Sequence, residues 1–284
     1  MELLSEEELA VRYWKWPEYY RHDTYGRQEA TLRVPEEWTI DFDSLERARV
    51  LNEIYKYERS ASGELVISLR AAPFIESQLT DSILFQLYRQ REPDDPFSRG
   101  LVFTSKSMFD FPDTSIMSPS LSWIPPELLP PRDVKPWWDS IESNPTFVVE
   151  HCSCNDSPER MHRKMEQYIA NGVLLGWLVD AWDQRVYVYR AGRKMQTIEK
   201  PLFLSGEDVV PGFEVDLSDA WTATKLGRGE PRIFPPRENG GFVLRVRLPE
   251  TWHLPLETAT RMADTNPQYK IDRTMLGDLI VACS

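Results

Sequence analysis

Apolar and polar residues alternate along the chain with two periods. From Ser44 to about Glu53, and from Phe74 to Arg89, the apolar positions recur at helical spacing; Ile75, Leu79, Ile83, Leu84 and Leu87 share one side of the second segment. Between them, IYKYER and ELVISL are two alternating runs joined by the glycine-containing turn ASG, which predicts a β-hairpin. LVFTS and SLSWI read as short strands, residues 125–136 as a Pro-rich loop, and TFVVE as a further strand ending on a carboxylate. Ser157-Pro158 predicts a helix start, a hydroxyl cap followed by proline in the first turn, for a helix over 157–171. LLGWLVD and RVYVYR are two more strands joined by AWDQ, and SGEDVVPGFEVDLSDAW closes the region with a turn and a short helix.

This order predicts an α/β class fold of the α+β kind, a mixed central sheet with flanking helices. Four regions follow: an N-terminal helical extension at 1–30, a main domain at 31–223, a linker at 224–240 rich in Gly, Pro and charge, and a C-terminal segment at 241–284. The extension holds a helix from Glu6 to Trp14 and the aromatic stretch YWKWPEYYR. Such aromatics can stack on nucleic-acid bases, but a helix packing them on the main domain is the simpler reading.

The C-terminal segment repeats the start of the main domain. PETW at 249–252 matches PEEW at 35–38, an offset of 252 − 38 = 214. At that offset NPQYKIDRTMLGDLIV lies over NEIYKYERSASGELVI without a gap, and Glu58 meets Asp272. An ungapped match with acidic and β-branched residues exchanged for their like points to duplication; chance likeness of two hairpins is the competing reading. The copy stops at the first hairpin, before any helix or active-site strand, so it is expected to dock on the main domain or to stay loosely ordered.

Composition narrows the setting. With 41% apolar and 27% charged residues the chain has the composition of a soluble globular protein. Its longest apolar run, Gly172 to Val179, is far shorter than the roughly 20 residues a membrane-spanning helix needs. The acidic start MELLSEEELA lacks the pattern of a secretory signal. Cys152, Cys154 and Cys283 make no disulfide framework, which predicts a reducing, intracellular and cytoplasmic setting. The net charge of −12 opposes non-specific grip on phosphates, so nucleic-acid binding would need a local basic patch or bound metal ions.

Few residues carry chemistry. Glu150 ends the strand FVVE, where a carboxylate can bind a divalent ion at a sheet edge, although most such residues are merely solvated. On the next helix Met161, Met165, Tyr168 and Ile169 form the apolar stripe, and Lys164 lies on or beside it. Lysine seldom occupies such a place without an anionic partner; the plainer reading lays its stem on the core and its amine in water. His151, Cys152 and Cys154 spell H-C-S-C, but zinc needs a second ligand pair, and His22, His162, His253 and Cys283 supply none at suitable spacing.

The stretch from Asn144 to Arg190, with its FVVE, KMEQY, NGVLLGWLVD and VYVYR motifs, resembles the centre of the Uma-two family of restriction-endonuclease-like proteins. ERSASGELVISL, SPSLSWI and LSGEDVVPGFEVDL match further family motifs in the right order, over roughly residues 44–221. The resemblance implies the restriction-endonuclease-like core of the PD-(D/E)-x-K nuclease superfamily, in which carboxylates hold Mg²⁺ and a lysine assists phosphodiester hydrolysis. Carried over, it makes Glu150 and Lys164 catalytic and Glu58 and Glu150 metal ligands. DNA is the implied partner, and a homodimer the assembly many superfamily members form. Hard anionic oxygens suit Mg²⁺, the metal activates water, and an amine stabilises charge developing on the phosphate.

One position departs from the family. Where its members have Pro-Asp, this chain has Pro119-Ser120, and a neutral hydroxyl is a poor Mg²⁺ ligand. Asp113, in FDFPDTS, is a candidate substitute if it lies on the neighbouring strand. Two functions follow: a Mg²⁺-dependent endonuclease with weakened or lost activity, or a catalytically inactive relative kept as a binding or interaction module.

Overall fold

The computed structural model describes residues 29–69, 74–89, 98–131, 143–152, 158–181, 183–218, 221 and 242–283. The expected helix at Glu6–Trp14, the aromatic stretch after it and the linker at 224–240 lie outside the described residues. In chain order the elements are β1 (Glu29–Leu32), α1 (Phe42–Leu51), β2 (Tyr55–Arg59), β3 (Leu65–Leu69), α2 (Phe74–Arg89), β4 (Leu101–Thr104), β5 (Phe109–Asp110), β6 (Ile116–Met117) and β7 (Leu121–Ile124). After a single 3₁₀ turn at Pro126–Leu128 come β8 (Phe147–Cys152), α3 (Pro158–Ala170), β9 (Leu175–Asp180), β10 (Arg185–Arg190), β11 (Gln196–Glu199), β12 (Phe203–Ser205) and β13 (Glu214–Asp216). The last are β14 (Phe242–Val246), α4 (Leu256–Thr265), β15 (Lys270–Arg273) and β16 (Leu279–Cys283). None of the helices among the described residues is long and apolar enough to cross a membrane.

Two compact units form, and they do not follow chain order. One takes the described residues of 1–71, 113–117 and 233–284; the other takes those of 72–112 and 118–232.

In the first unit, β1, β3 and β2 form an antiparallel sheet, with β3 central and Arg59 of β2 paired to Ile116 of β6. The C-terminal elements build a second sheet in the same way, with β16 central between β14 and β15. Register is the same in both: Leu32 opposes Leu65 as Val246 opposes Leu279, and Glu58 opposes Val66 as Asp272 opposes Ile280. Helices α1 and α4 are each ten residues long and precede their hairpins, so the C-terminal segment contains a helix that the sequence reading left out.

The two helices differ at their starts. Asp41 Oδ1 accepts from the Ser44 amide at 2.8 Å while Ser44 Oγ accepts from the Asp41 amide at 3.0 Å, a reciprocal cap on α1. The corresponding start of α4 is Pro255, with no side-chain cap. The hydrogen bonds from the Ser44 amide, and then from its side chain, hold the Asp41 carboxyl below the usual carboxylate range. A depressed folded pKa stabilises above the unfolded value, and that stabilisation is lost as pH falls through the folded value. Asp41→Ala is therefore expected to cost about 1 kcal/mol near neutrality, with the difference shrinking in urea melts at acidic pH.

In the second unit the sheet order is β11-β10-β9-β8-β7-β4, antiparallel throughout except for the parallel pair β8–β9. All six residues of the central strand β8 are buried, as a strand covered on both faces requires. One face packs Phe147, Val149, Leu175, Trp177, Val186 and Val188 against Leu79, Ile83 and Leu87 of α2. Phe213 extends this layer, stacking on Trp177 with ring centroids 6.0 Å apart. The other face receives α3, whose Met161, Met165 and Tyr168 are buried. Gly176 makes room for that helix: a Cβ there would stand 2.5 Å from Met165 Cε.

Candidate active site

The site lies on the α3 face of the second unit. Leu121 opposes Val149 and Ser122 opposes Val148, so the register of β7 and β8 brings Ser120, one residue before β7, across from Glu150. Ser120 Oγ donates to Glu150 Oε2 at 2.8 Å. From the helix above, Lys164 Nζ stands 2.9 Å from Glu150 Oε1. One turn on, the Tyr168 hydroxyl donates to the same oxygen at 3.0 Å. Lys164 Nζ is also 5.7 Å from the centre of the Tyr168 ring. Residues four apart on a helix face the same way, so the helix presents amine and phenol to one carboxylate.

Burial makes the arrangement consequential. Glu150 is 2% exposed and Lys164 8%. A lone charge at such depth would cost several kcal/mol, and pairing with further hydrogen bonds offsets that cost. The plainer sequence reading of Lys164, an aliphatic stem with its amine in water, is therefore corrected: the amine is buried against Glu150. Tyr168 was legible only as an apolar stripe residue; its position four residues after Lys164 was the signal that its hydroxyl could reach the same target.

The remaining sequence candidates have partners of their own. Glu58 is buried on β2 of the first unit, with Lys56 Nζ 3.4 Å from its carboxylate. Asp113 also belongs to the first unit, where its Oδ1 accepts from the Ser115 amide at 3.0 Å and the Ser115 hydroxyl at 2.6 Å. His151, next to Glu150 along the strand, points to the opposite face by strand alternation, and its Nε2 hydrogen-bonds with Thr80 Oγ1 of α2 at 2.6 Å. Cys152 is buried and in no disulfide among the described residues, and Cys154 lies outside them.

The donor set of this unit does not fit Mg²⁺. That ion demands near-octahedral oxygen at about 2.0–2.1 Å, whereas the one carboxylate here already accepts from an amine, a phenol and a hydroxyl. Among the described residues, no group of three or more His, Cys, Asp or Glu side chains gathers to hold a metal ion.

Comparison with known proteins places the chain. Residues 29–218 match the model of the Uma2 family, described as a putative restriction endonuclease. The chain belongs to the Uma2 family. Among solved structures, this Uma2 chain is similar to a protein from Anabaena variabilis described as a putative nuclease, at 16% identity and a TM-score of 0.49, covering 59% of this chain and 90% of that one. No curated protein matches it.

Proposed function

We propose that this Uma2 chain is a nuclease-fold protein descended from Mg²⁺-dependent endonucleases, in which hydrolysis of nucleic-acid phosphodiester bonds is weakened or lost. The observation that carries this reading is the hydrogen bond from Ser120 to Glu150. At the place where the Uma2 pattern has aspartate, a neutral donor now satisfies the neighbouring carboxylate instead of joining it around a cation. Two adjacent carboxylates repel each other and favour a bridging metal; a hydroxyl beside a carboxylate needs none. Lys164, which would stabilise charge on a phosphate, is engaged by the carboxylate it would work beside.

Glu150 and Lys164 are the residues assigned to the ancestral chemistry, with Ser120 the altered ligand position and Glu58 and Asp113 the further acidic candidates. DNA is the substrate class and Mg²⁺ the ion that the ancestral site would have taken; when bound, such an ion would activate water. A second reading, an inactive binding or interaction module in a reducing, cytoplasmic setting, is favoured by the three donors already on Glu150 and by the net charge of −12.

The test is a nicking assay on supercoiled plasmid with Mg²⁺ or Mn²⁺, comparing the native chain with Lys164→Ala and Ser120→Asp. The expected result is no nicking by the native chain and metal-dependent nicking by Ser120→Asp. Nicking by the native chain that Lys164→Ala abolishes would sink the lost-activity reading, and a silent Ser120→Asp would count against the site assignment.

A further inference from the structure

The first unit carries an interaction surface of its own. Trp38 and Trp252 stack with centroids 5.5 Å apart and planes 8° from parallel. Trp38 Nε1 donates to the His253 carbonyl at 2.9 Å, and Trp252 Nε1 donates to the Thr39 carbonyl at 2.9 Å. Asn52 accepts from the Arg247 amide at 2.8 Å and donates to its carbonyl at 2.8 Å. Asn266 does the same with Arg33, at 2.8 and 2.9 Å. The Tyr269 hydroxyl accepts from the Thr31 amide at 3.1 Å, and the Tyr55 hydroxyl from the Arg245 amide at 3.3 Å.

Each of these contacts has a mirror image. Adding the offset of 214 turns Trp38, Thr39, Asn52, Tyr55, Thr31 and Arg33 into Trp252, His253, Asn266, Tyr269, Arg245 and Arg247. Each of these backbone-directed bonds from the early elements to the late ones is returned between the corresponding residues; the contacts of Thr258 and Arg261 with the Glu37 carboxylate are not, because position 251 is threonine. A segment that docked on an arbitrary surface would bury its own side against a different one. Exchange of identical contacts is instead the property of an isologous two-fold interface, where the same patch faces itself. The side chains that make the exchanged bonds, Trp, Asn and Tyr, are the same at both positions. The apolar helix residues differ in a compensating way: Leu45 and Ala48 in α1, Ala259 and Met262 in α4, all four buried.

We infer that the β1-α1-β2-β3 module has a self-complementary dimerisation face, and that residues 242–283, a duplicate of that module, occupy the face in cis as a second copy of the chain would. The contact that a two-chain assembly would use is thus satisfied inside one chain, and this face does not join two molecules.

Two measurements test this on the full-length protein. The first is its mass by sedimentation over a wide concentration range. A single-chain mass throughout is expected, and a two-chain species would overturn occupation in cis. The second uses a chain in which residues 242–283 are replaced by residues 28–69, so that both positions carry the same sequence. Self-complementarity predicts a folded, single-chain protein that melts in one cooperative transition. Failure of that chain to fold, or a melt in which the C-terminal copy comes loose first, would overturn the inference, because a face that fits itself must accept its own sequence.

Discussion

Lys164→Met is expected to lower unfolding free energy by about 3–5 kcal/mol, the range seen when one partner of a buried ion pair is removed. The substitution keeps most of the stem's volume, so the loss reports the ammonium rather than the packing. What remains is Glu150, 2% exposed, with the Ser120 and Tyr168 hydroxyls on its carboxylate and no ammonium beside them. Adding Glu150→Gln to Lys164→Met should recover most of the loss, since an uncharged amide can keep the hydroxyl partners without an opposing cation. Urea melts of the native chain, both single variants and the double variant give the cycle. Were the amine solvated, Lys164→Met would be neutral or mildly stabilising, and the two substitutions would add without coupling.

The second large effect belongs to the other unit. Trp252 is 1% exposed, stacks on Trp38 and donates its indole proton to Thr39. Trp252→Ala is expected to cost about 3–5 kcal/mol, of which about 0.5–1.5 kcal/mol should appear as coupling to Trp38 beyond simple burial. Trp38→Ala should cost a similar amount, because its ring plays the same part in the mirrored contact. The double variant should lose less than the two losses added together. Unequal losses, with Trp252→Ala close to neutral, would mean that the C-terminal segment contributes little to the unit.

Much of the second unit was legible because its periodicities are unambiguous. Leu79, Ile83 and Leu87 fall four apart and are buried on α2, while VYVYR and LGWLVD have the alternation and apolar density of strands in a covered sheet. Helix α3 begins at Pro158, where proline needs no amide partner. The weaker strands were not legible. Gln196–Glu199 carries little apolar signal and exists because β10 offers it an edge, and Phe203–Ser205 and Glu214–Asp216 pair across a loop whose turn chemistry hid them. Likewise α4 opens on Pro255 without a polar cap, so its start carries no capping signature.

The site was legible in its members but not in its bonding. Strand position brought Glu150 forward, the stripe on α3 brought Lys164 forward, and the family pattern brought Ser120 forward. What no sequence pattern states is that a one-residue extension of the β7–β8 register sets Ser120 against Glu150, or that Tyr168 uses its hydroxyl there. Those depend on how closely α3 approaches the sheet, which Gly176 permits from a different strand. The exchanged contacts of the first unit are of the same kind: the offset was visible along the chain, but the face on which the two segments meet is a tertiary property.

The most direct test of the lost-ligand claim is the thermal melt of the native chain and of Ser120→Asp, each with and without millimolar Mg²⁺ or Mn²⁺. Serine at this place predicts a native melting temperature that does not move with the metal. Restored aspartate predicts a rise, corresponding to about 2.7 kcal/mol once the ion is in hundredfold excess over its dissociation constant. A native chain stabilised as strongly as the variant, or a variant indifferent to both ions, would contradict the claim.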